Sequence, residues 1–394
     1  MKKTLLIFLL IILLAALVLL IVLRGGLDNN VDVSDDPVGT EPVSPEETEI
    51  AAEHFTFNFV GDNTLAGIGY EATTGGSADY PYKNTRQYLD GAEFNFANLE
   101  CIYSDAPLYS DTLFHFKSPT RNTAILKSAG IHFVTCANNH TLDYGQKGLD
   151  DTVAALENAD IAYGLDGKST VFTTPHGIKI GIYCGFQYVY EKTVVEEIET
   201  LKQQGVDLII CAFHWGVEGS YRPTAMQKSL AHAAIDAGAD IVYGSHPHVL
   251  QPVEEYGSGF IMYSLANWSF GGNSRPADMD TALVQVDIIR DTDGKIIVGG
   301  YKLIPCRVSS IASYNDYCPT PFEEGSAEYE RVISKLTGTF TGSDLVVDYS
   351  HLRPTPIPEV TDNPEITGEP VITQAPTPTP DAEIPEPPNP DVKE

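Results

Sequence analysis

Positive charge is what this 394-residue chain has least of: 24 Lys and Arg stand against 54 Asp and Glu, a formal net charge of −30. Such a surface repels polyanions, which excludes nucleic-acid binding through general electrostatics. Any work on an anionic polymer must draw its positive charge from metal ions or a few basic side chains. No internal repeat at a solenoid period is present, so a stacked-repeat architecture is excluded as well. Thiolate metal ligands are also lacking. Cys136, Cys184 and Cys211 each lie inside an apolar, strand-like run, where cysteine acts as a small buried apolar residue. Cys306 and Cys318 flank a loop, and their spacing permits a bridge without requiring one.

The two ends differ in composition from the middle. Lys2 and Lys3 precede an apolar run over residues 4–23 that Arg24 closes, long enough to cross a hydrocarbon core of about 30 Å as a helix. A cleaved signal peptide is the competing reading, but no A-x-A pattern ends the run. Residues 1–24 therefore read as a cytoplasmic tip and transmembrane signal anchor. Basic residues at the extreme N-terminus put that end in the cytoplasm and the folded part outside, as a single-pass protein of the cell membrane. Residues 25–50 are acidic, without Lys or Arg, and read as a solvated, disordered linker. Residues 351–394 are rich in proline and read as an extended, unpacked tail. Residues 51–350 remain as one domain able to bury a substantial core.

Within that domain, strand-like runs repeatedly end in polar residues. Residues 55–60 alternate Phe with other residues and stop at Gly61-Asp62; residues 93–99 repeat the pattern and deliver Asn98 and Glu100. Residues 131–137 run into Asn138-Asn139-His140, residues 208–212 into His214, and a further strand into His246 and His248. Helical patterns over residues 120–129, 149–158, 193–204 and between the last two strands supply crossovers. The strands at 260–265, 283–289 and 295–298 have no crossover helices between them, so the second half reads as antiparallel. The expected fold class is α/β: a sandwich of two mixed β-sheets flanked by helices.

Asp62, Glu100, Asn139 with His140, His214, His246 and His248 thus all fall at strand exits, where open α/β sheets place their chemistry. Each alone is ordinary punctuation or a chance pair. Jointly they form an oxygen and nitrogen donor set that suits one or two divalent ions such as Mn²⁺, Fe²⁺, Zn²⁺ or Mg²⁺. Glu218, Tyr221 and Arg222 follow His214 on a loop over the crevice and are candidate substrate contacts, although Arg222 could instead pair with a carboxylate. Trp215 has at least as good a case as a packing residue, and Asp143 as a residue that holds its loop. His54, His115, His132, His176, His232 and His351 carry no such pattern.

The segments GDNTLAG (61–67), NLE (98–100), ANNHTLDYGQKGLDDT (137–152), HWGVE (214–218), the run 227–254 and YSLANWSFGG (263–272) resemble the capsule-synthesis CapA family over about residues 55–305. The resemblance implies a role in poly-γ-glutamate synthesis and export and a calcineurin-like metallophosphoesterase fold. It makes Asp62 a ligand of one ion, Glu100 the bridging carboxylate, and Asn139 the amide ligand of the second ion. His214 and His246 then complete the second ion, His248 serves the first, and His140 assists the leaving group. One departure stands out: the usual Asp-x-His opening is Asp62-Asn63-Thr64 here, so the first ion lacks an imidazole. The implied activity is attack of metal-activated water on a phosphoester or amide. The implied partners are the membrane, an anionic polymer or cell-envelope component, and other capsule-synthesis membrane proteins. A non-catalytic polymer-binding role in a synthesis and export complex is the alternative.

Overall fold

The computed structural model describes residues 51–67 and 69–347. The apolar run 4–23, the acidic linker, the proline-rich tail and His351 lie outside the described residues. No helix among the described residues is long and apolar enough to cross a membrane.

Sixteen strands appear among the described residues. In chain order they are β1 (Glu53–Thr64), β2 (Phe94–Leu99), β3 (Ile102–Tyr103), β4 (Lys117–Ser118), β5 (Phe133–Thr135), β6 (Ala162–Gly164), β7 (Lys168–Thr173) and β8 (Lys179–Phe186). They continue with β9 (Leu208–His214), β10 (Ile241–Ser245), β11 (Leu250–Tyr256), β12 (Gly259–Leu265), β13 (Asn267–Phe270), β14 (Asp280–Arg290), β15 (Ile296–Arg307) and β16 (Thr320–Pro321). The α-helices are α1 (Tyr70–Thr74), α2 (Arg86–Leu89), α3 (Thr123–Ser128), α4 (Gly145–Asn158), α5 (Glu191–Gln203), α6 (Ala225–Ala237) and α7 (Ala327–Leu336).

One large sheet runs β16-β15-β14-β1-β2-β5-β6 with β13 also paired to β1, and the other runs β11-β12-β10-β9-β8-β7. Both are mixed. Strands β1, β2, β5 and β6 are mutually parallel, as are β8, β9, β10 and β12, while β7, β11 and β14 to β16 add antiparallel pairs. The period of two along a strand sorts its side chains between layers. In β9, Leu208, Ile210 and Ala212 enter the core shared by the two sheets, while Ile209, Cys211 and Phe213 pack with α5 and α6 residues such as Ile198 and Leu230. The outer face of the first sheet is covered in the same way by α3 and α4, through Leu126 and Leu156. The molecule is thus a helix–sheet–sheet–helix sandwich, and the C-terminal ends of its parallel strands open on one side.

Local chemistry explains the elements. The Thr224 hydroxyl accepts from the Gln227 N–H and the Gln227 side chain returns the bond, a capping box that starts α6, and Gly238 in the left-handed region ends it. Two edge strands escape the sequence pattern. Strand β11 contains Pro252 and three polar residues, and β7 is half exposed; an edge strand tolerates both because it needs neither every donor nor two apolar faces. The antiparallel expectation holds for β14 and β15 but not for β12, which hairpins with β11 and then lies parallel beside β10. All six cysteines are buried and free, Cys306 and Cys318 included; their burial beside apolar side chains accounts for them as core.

Strand β1 does not stop at Gly61-Asp62. It continues to Thr64 through a bulge, since Phe59 pairs with Phe96 but Asp62 with Asn98, which leaves one extra residue on β1. The extra residue turns Asp62 to the face that carries Asn98. Here only glycine fits: a Cβ on Gly61 would lie 2.0 Å from the Ala266 carbonyl oxygen. Beyond the bulge β13 replaces β14 as the partner of β1 and sets Asn267 opposite Asp62.

Candidate metal centre

Both sheets contribute to one crevice. The first supplies Asp62 from β1, Glu100 just after β2, and Asn139 and His140 after β5; the second supplies His214 at the end of β9 and His246 and His248 after β10. Asp62, Glu100 and His214 are buried, and their ligand atoms lie within 4.8 Å of one another; so do those of Glu218, His246 and His248, which are partly exposed.

Glu100 Oε1 is the focus. It is buried and accepts no hydrogen bond. Around it stand His248 Nε2 at 3.7 Å, His140 Nε2 at 3.8 Å and His214 Nε2 at 4.0 Å. These distances are too long for hydrogen bonds. They fall within the about 4.0–4.4 Å that two ligands on one ion can span, given metal–ligand bonds of about 2.0–2.2 Å. The residues therefore fit a divalent cation.

Each surrounding polar group aims a ligand atom. Asn98 Nδ2 donates to Asp62 Oδ1 at 2.9 Å and to Glu100 Oε2 at 3.2 Å, holding two buried carboxylates side by side. Asn138 donates to Asn98 Oδ1 and to the Leu99 carbonyl, which leaves Asn139 to project its amide oxygen to within 2.8 Å of His214 Nε2. His214 Nδ1 meets the Ser245 hydroxyl at 2.9 Å, and His248 Nδ1 meets Asn267 Oδ1 at 2.9 Å. His140 gives its Nδ1 proton to Asp143 Oδ2 at 2.8 Å, under the ring of Phe116. In each pair the bond at Nδ1 turns Nε2 toward Glu100, the outer-layer arrangement that orients metal-binding imidazoles.

Burial dominates the electrostatics of the group. Burial pushes the Glu100 carboxyl well above the usual carboxylate range, with His248 opposing and Asp62 adding to the rise. Burial also pulls His214 well below the usual imidazole range, and burial with the neighbouring His248 holds His246 down to about 4. Both are neutral, metal-competent imidazoles at pH 7. For His248 burial acts in the same direction, but the carboxylates of Glu100, Asp62 and Glu218 outweigh it and raise the imidazolium to about 10. The proton held there marks a position that a divalent ion can take.

Ligand atoms of Asp62, Glu100 and His214 come together, as do those of Glu218, His246 and His248. The sets overlap: His248 also lies 3.5 Å from Asp62 and 3.7 Å from Glu100, and the His246 ring is 4.7 Å from that of His214 and 6.0 Å from that of His248. His246 has φ 98° and His248 φ 55°, left-handed conformations on either side of Pro247 that cost about 1–3 kcal/mol each. Thr64, in the place of the usual imidazole, donates its hydroxyl to the Glu100 carbonyl at 2.9 Å and belongs to neither group.

Glu218 faces the crevice, but its two companions do not. Tyr221 is buried and donates to Asp278, and Arg222 pairs with Asp344 and the Gly342 carbonyl. Their partners come from the distant end of the domain, so nothing near them in sequence announced this. Trp215 packs on Phe213 and donates to the Tyr263 carbonyl. His54, His132, His176 and His232 bond to Asp287, the Asn95 N–H, Glu93 and Glu254, all away from the centre, and His115 packs edge-on against Tyr144. Sequence reasoning missed Ser245 and Asn267 as members of the site, and noted Asn98 at its strand end without placing it among the site residues. For Asn98 a signal existed: two residues before Glu100, it shares that residue's face of the strand.

The family model described as bacterial capsule synthesis protein PGA_cap matches residues 56–183 and 166–271. The capsule biosynthesis protein CapA of Bacillus anthracis is 31% identical over 292 residues, covering 66% of this chain and 69% of that protein. The PGA biosynthesis protein CapA of Bacillus subtilis (strain 168) is 27% identical over 320 residues, covering 75% and 80%. Among solved structures, Haemophilus influenzae NAD nucleotidase aligns with a TM-score of 0.37 at 12% identity, over 72% of this chain and 56% of that one. With matches that span residues 56–271, including every candidate ligand, the chain belongs to the bacterial capsule synthesis protein family PGA_cap.

Proposed function

We propose that this chain is a membrane-anchored, extracytoplasmic component of capsule or poly-γ-glutamate synthesis or export, and that its crevice is a divalent-metal hydrolase centre for a phosphoester or amide. Family membership and the names of the relatives support the first part. The second rests on one observation above all: the buried, unpartnered Glu100 Oε1 ringed by three imidazole nitrogens. A calcineurin-like metallophosphoesterase architecture is consistent with the two-sheet sandwich and its crevice at the ends of the parallel strands.

In this reading Asp62, Glu100 and His214, with the amide oxygen of Asn139, hold one ion, and Glu218, His246 and His248 hold another. Glu100 is close enough to His248 to be shared. A divalent ion bound there polarises a substrate oxygen and lowers the pKa of water toward neutrality. His140 has its Nδ1 proton fixed on Asp143, so Nε2 is the atom that can carry a proton to a leaving group. Asn98 keeps the two carboxylates parallel without a metal.

The test uses the purified full-length protein equilibrated with Mn²⁺, with metal content and hydrolysis of bis(p-nitrophenyl) phosphate and poly-γ-glutamate measured beside Glu100→Ala and His246→Ala. Turnover that both substitutions abolish is expected. Equal turnover in all three proteins would remove the catalytic assignment, and bound metal without turnover would assign the chain to the polymer-binding role instead.

A further inference from the structure

Beside the centre lies a cavity of about 420 Å³ whose floor includes Asn139, His140, Glu218 and His248. Above that floor the walls are apolar. Phe114 comes from the segment between β3 and β4, Phe270 from β13, Val249 from the turn after β10, and Leu345, Val346 and Val347 from the chain that follows α7. Four separate parts of the sequence thus converge to make one apolar wall. The last is fixed in place: the Leu345 N–H donates to the Gly219 carbonyl at 2.9 Å, and Asp344 accepts from the Tyr221 N–H at 3.0 Å and from Arg222 at 3.0 Å.

Charge is as informative as shape. No Lys or Arg lines this cavity among the described residues, and beyond the centre its one ionisable wall residue is Asp278, a carboxylate already engaged by Lys335 and Tyr221. Of the cations near the lining residues in sequence, Arg222 is held by Asp344 instead of facing in, and Arg275, between the lining residues Asn273 and Pro276, is exposed and not part of the lining. Val346 is 93% exposed and Phe114 37% exposed at the mouth, with Leu142 at 58% and Val217 at 55% beside His140 and Glu218 in sequence. Apolar side chains gathered at the lip of a crevice are stabilised when a ligand covers them.

We propose that the crevice takes a substrate in which one oxyanion is joined to an apolar group, rather than a run of carboxylates. The proposal rests on the reading of the centre as a metal site. The oxyanion sits on the floor, where bound ions would supply the positive charge, and the apolar group lies along Phe114, Phe270 and Val346. A γ-linked glutamate chain would fit only one carboxylate at the centre. Its next carboxylates would lose water against Phe and Val side chains and face Asp278 with no cation to receive them, an arrangement that costs several kcal/mol per unpaired charge. In this reading the protein's contribution to an anionic polymer is made on an apolar-linked intermediate.

The test is a set of dissociation constants for the Mn²⁺-loaded full-length protein, with Mn²⁺ binding measured separately. The probes are inorganic phosphate, octyl phosphate below its micelle concentration, acetate, octanoate and tri-γ-glutamate. Either octyl probe should bind at least about tenfold tighter than its short counterpart, since burying a few methylenes suffices for that; the better pair names the oxyanion. Val346→Asp and Phe114→Ser should bring the long-to-short ratio toward one. Tri-γ-glutamate binding tighter than both octyl probes, or a ratio near one in the unsubstituted protein, would overturn the proposal while leaving the metal centre standing. Failure to bind Mn²⁺ would overturn both, and is read from the separate metal titration.

Discussion

Asp62, Glu100 and His214 are carried by strands or the residue next to one and are buried, whereas Glu218 and His248 are carried by loops, His246 by the residue after β10, and all three keep partial exposure. The deep group is held by the sheet itself: the Gly61 bulge, the Asn98 amide and the pairing of β9 with β10 place its atoms. The rim group is held by strained turns and by contacts from far along the chain. Residues 219–222, just after Glu218, are tied to Asp344 and, through Tyr221 and Asp278, to Lys335 on α7. A position built into a sheet is precise because neighbouring strands over-determine it. A position on a loop is as good as its anchors, and can be adjusted by changing them.

The largest effect should come from those anchors. Lys335 is buried and bonded to Asp278 and Asp280, so Lys335→Met leaves Asp278 without its cation and Asp280 with Arg331 alone, and should cost about 3–5 kcal/mol in urea unfolding. If the rim is held as described, binding at Glu218, His246 and His248 should weaken in this variant more than at the deep group. Next in size is Glu100→Gln. The unsubstituted protein should gain about 2.7 kcal/mol at a Mn²⁺ concentration a hundred times the dissociation constant, and the variant should gain almost none. Without metal the variant should be no less stable than its parent, because a buried carboxylate has been neutralised; calorimetry with and without Mn²⁺ reads both.

Asn98→Leu comes third. It removes the donor shared by Asp62 and Glu100, and should cost about 1–3 kcal/mol while weakening metal binding by about 10–100-fold. The rim variant Glu218→Gln should be mildest, changing stability by no more than about 0.5 kcal/mol while still lowering metal occupancy. A stability loss in Glu218→Gln as large as in Asn98→Leu would erase the contrast between the two groups.

The pH dependence sharpens the same contrast from the rim side. Burial opposes ionisation of Asp280, but Arg331 and Lys335 outweigh it and hold its carboxyl below the ordinary value of 3.8. A depressed folded-state pKa means that this stabilisation is fully present above 3.8 and is lost as pH falls through the lower folded value. Acid titration should therefore loosen the α7 anchor, and Asp280→Asn should flatten that part of the stability profile.

The sequence by itself determined the strands that carry the donors, the crossover helices between them and most of the donor atoms. Alternation of Phe in β1, the two-faced apolar run of β9 and the helical spacing of α4 to α6 are local patterns, and each delivered a polar residue to a strand end whose place along the chain could be read directly. What it could not determine was direction and partnership. That Asp62 turns inward depends on an extra residue opposite β2, and the left-handed φ angles of His246 and His248 are set by the turn that their neighbours close. That Arg222 leaves the crevice depends on Asp344, more than a hundred residues away. Such outcomes were decided only by the tertiary structure, because they arise from contacts between segments whose sequences carry no record of each other.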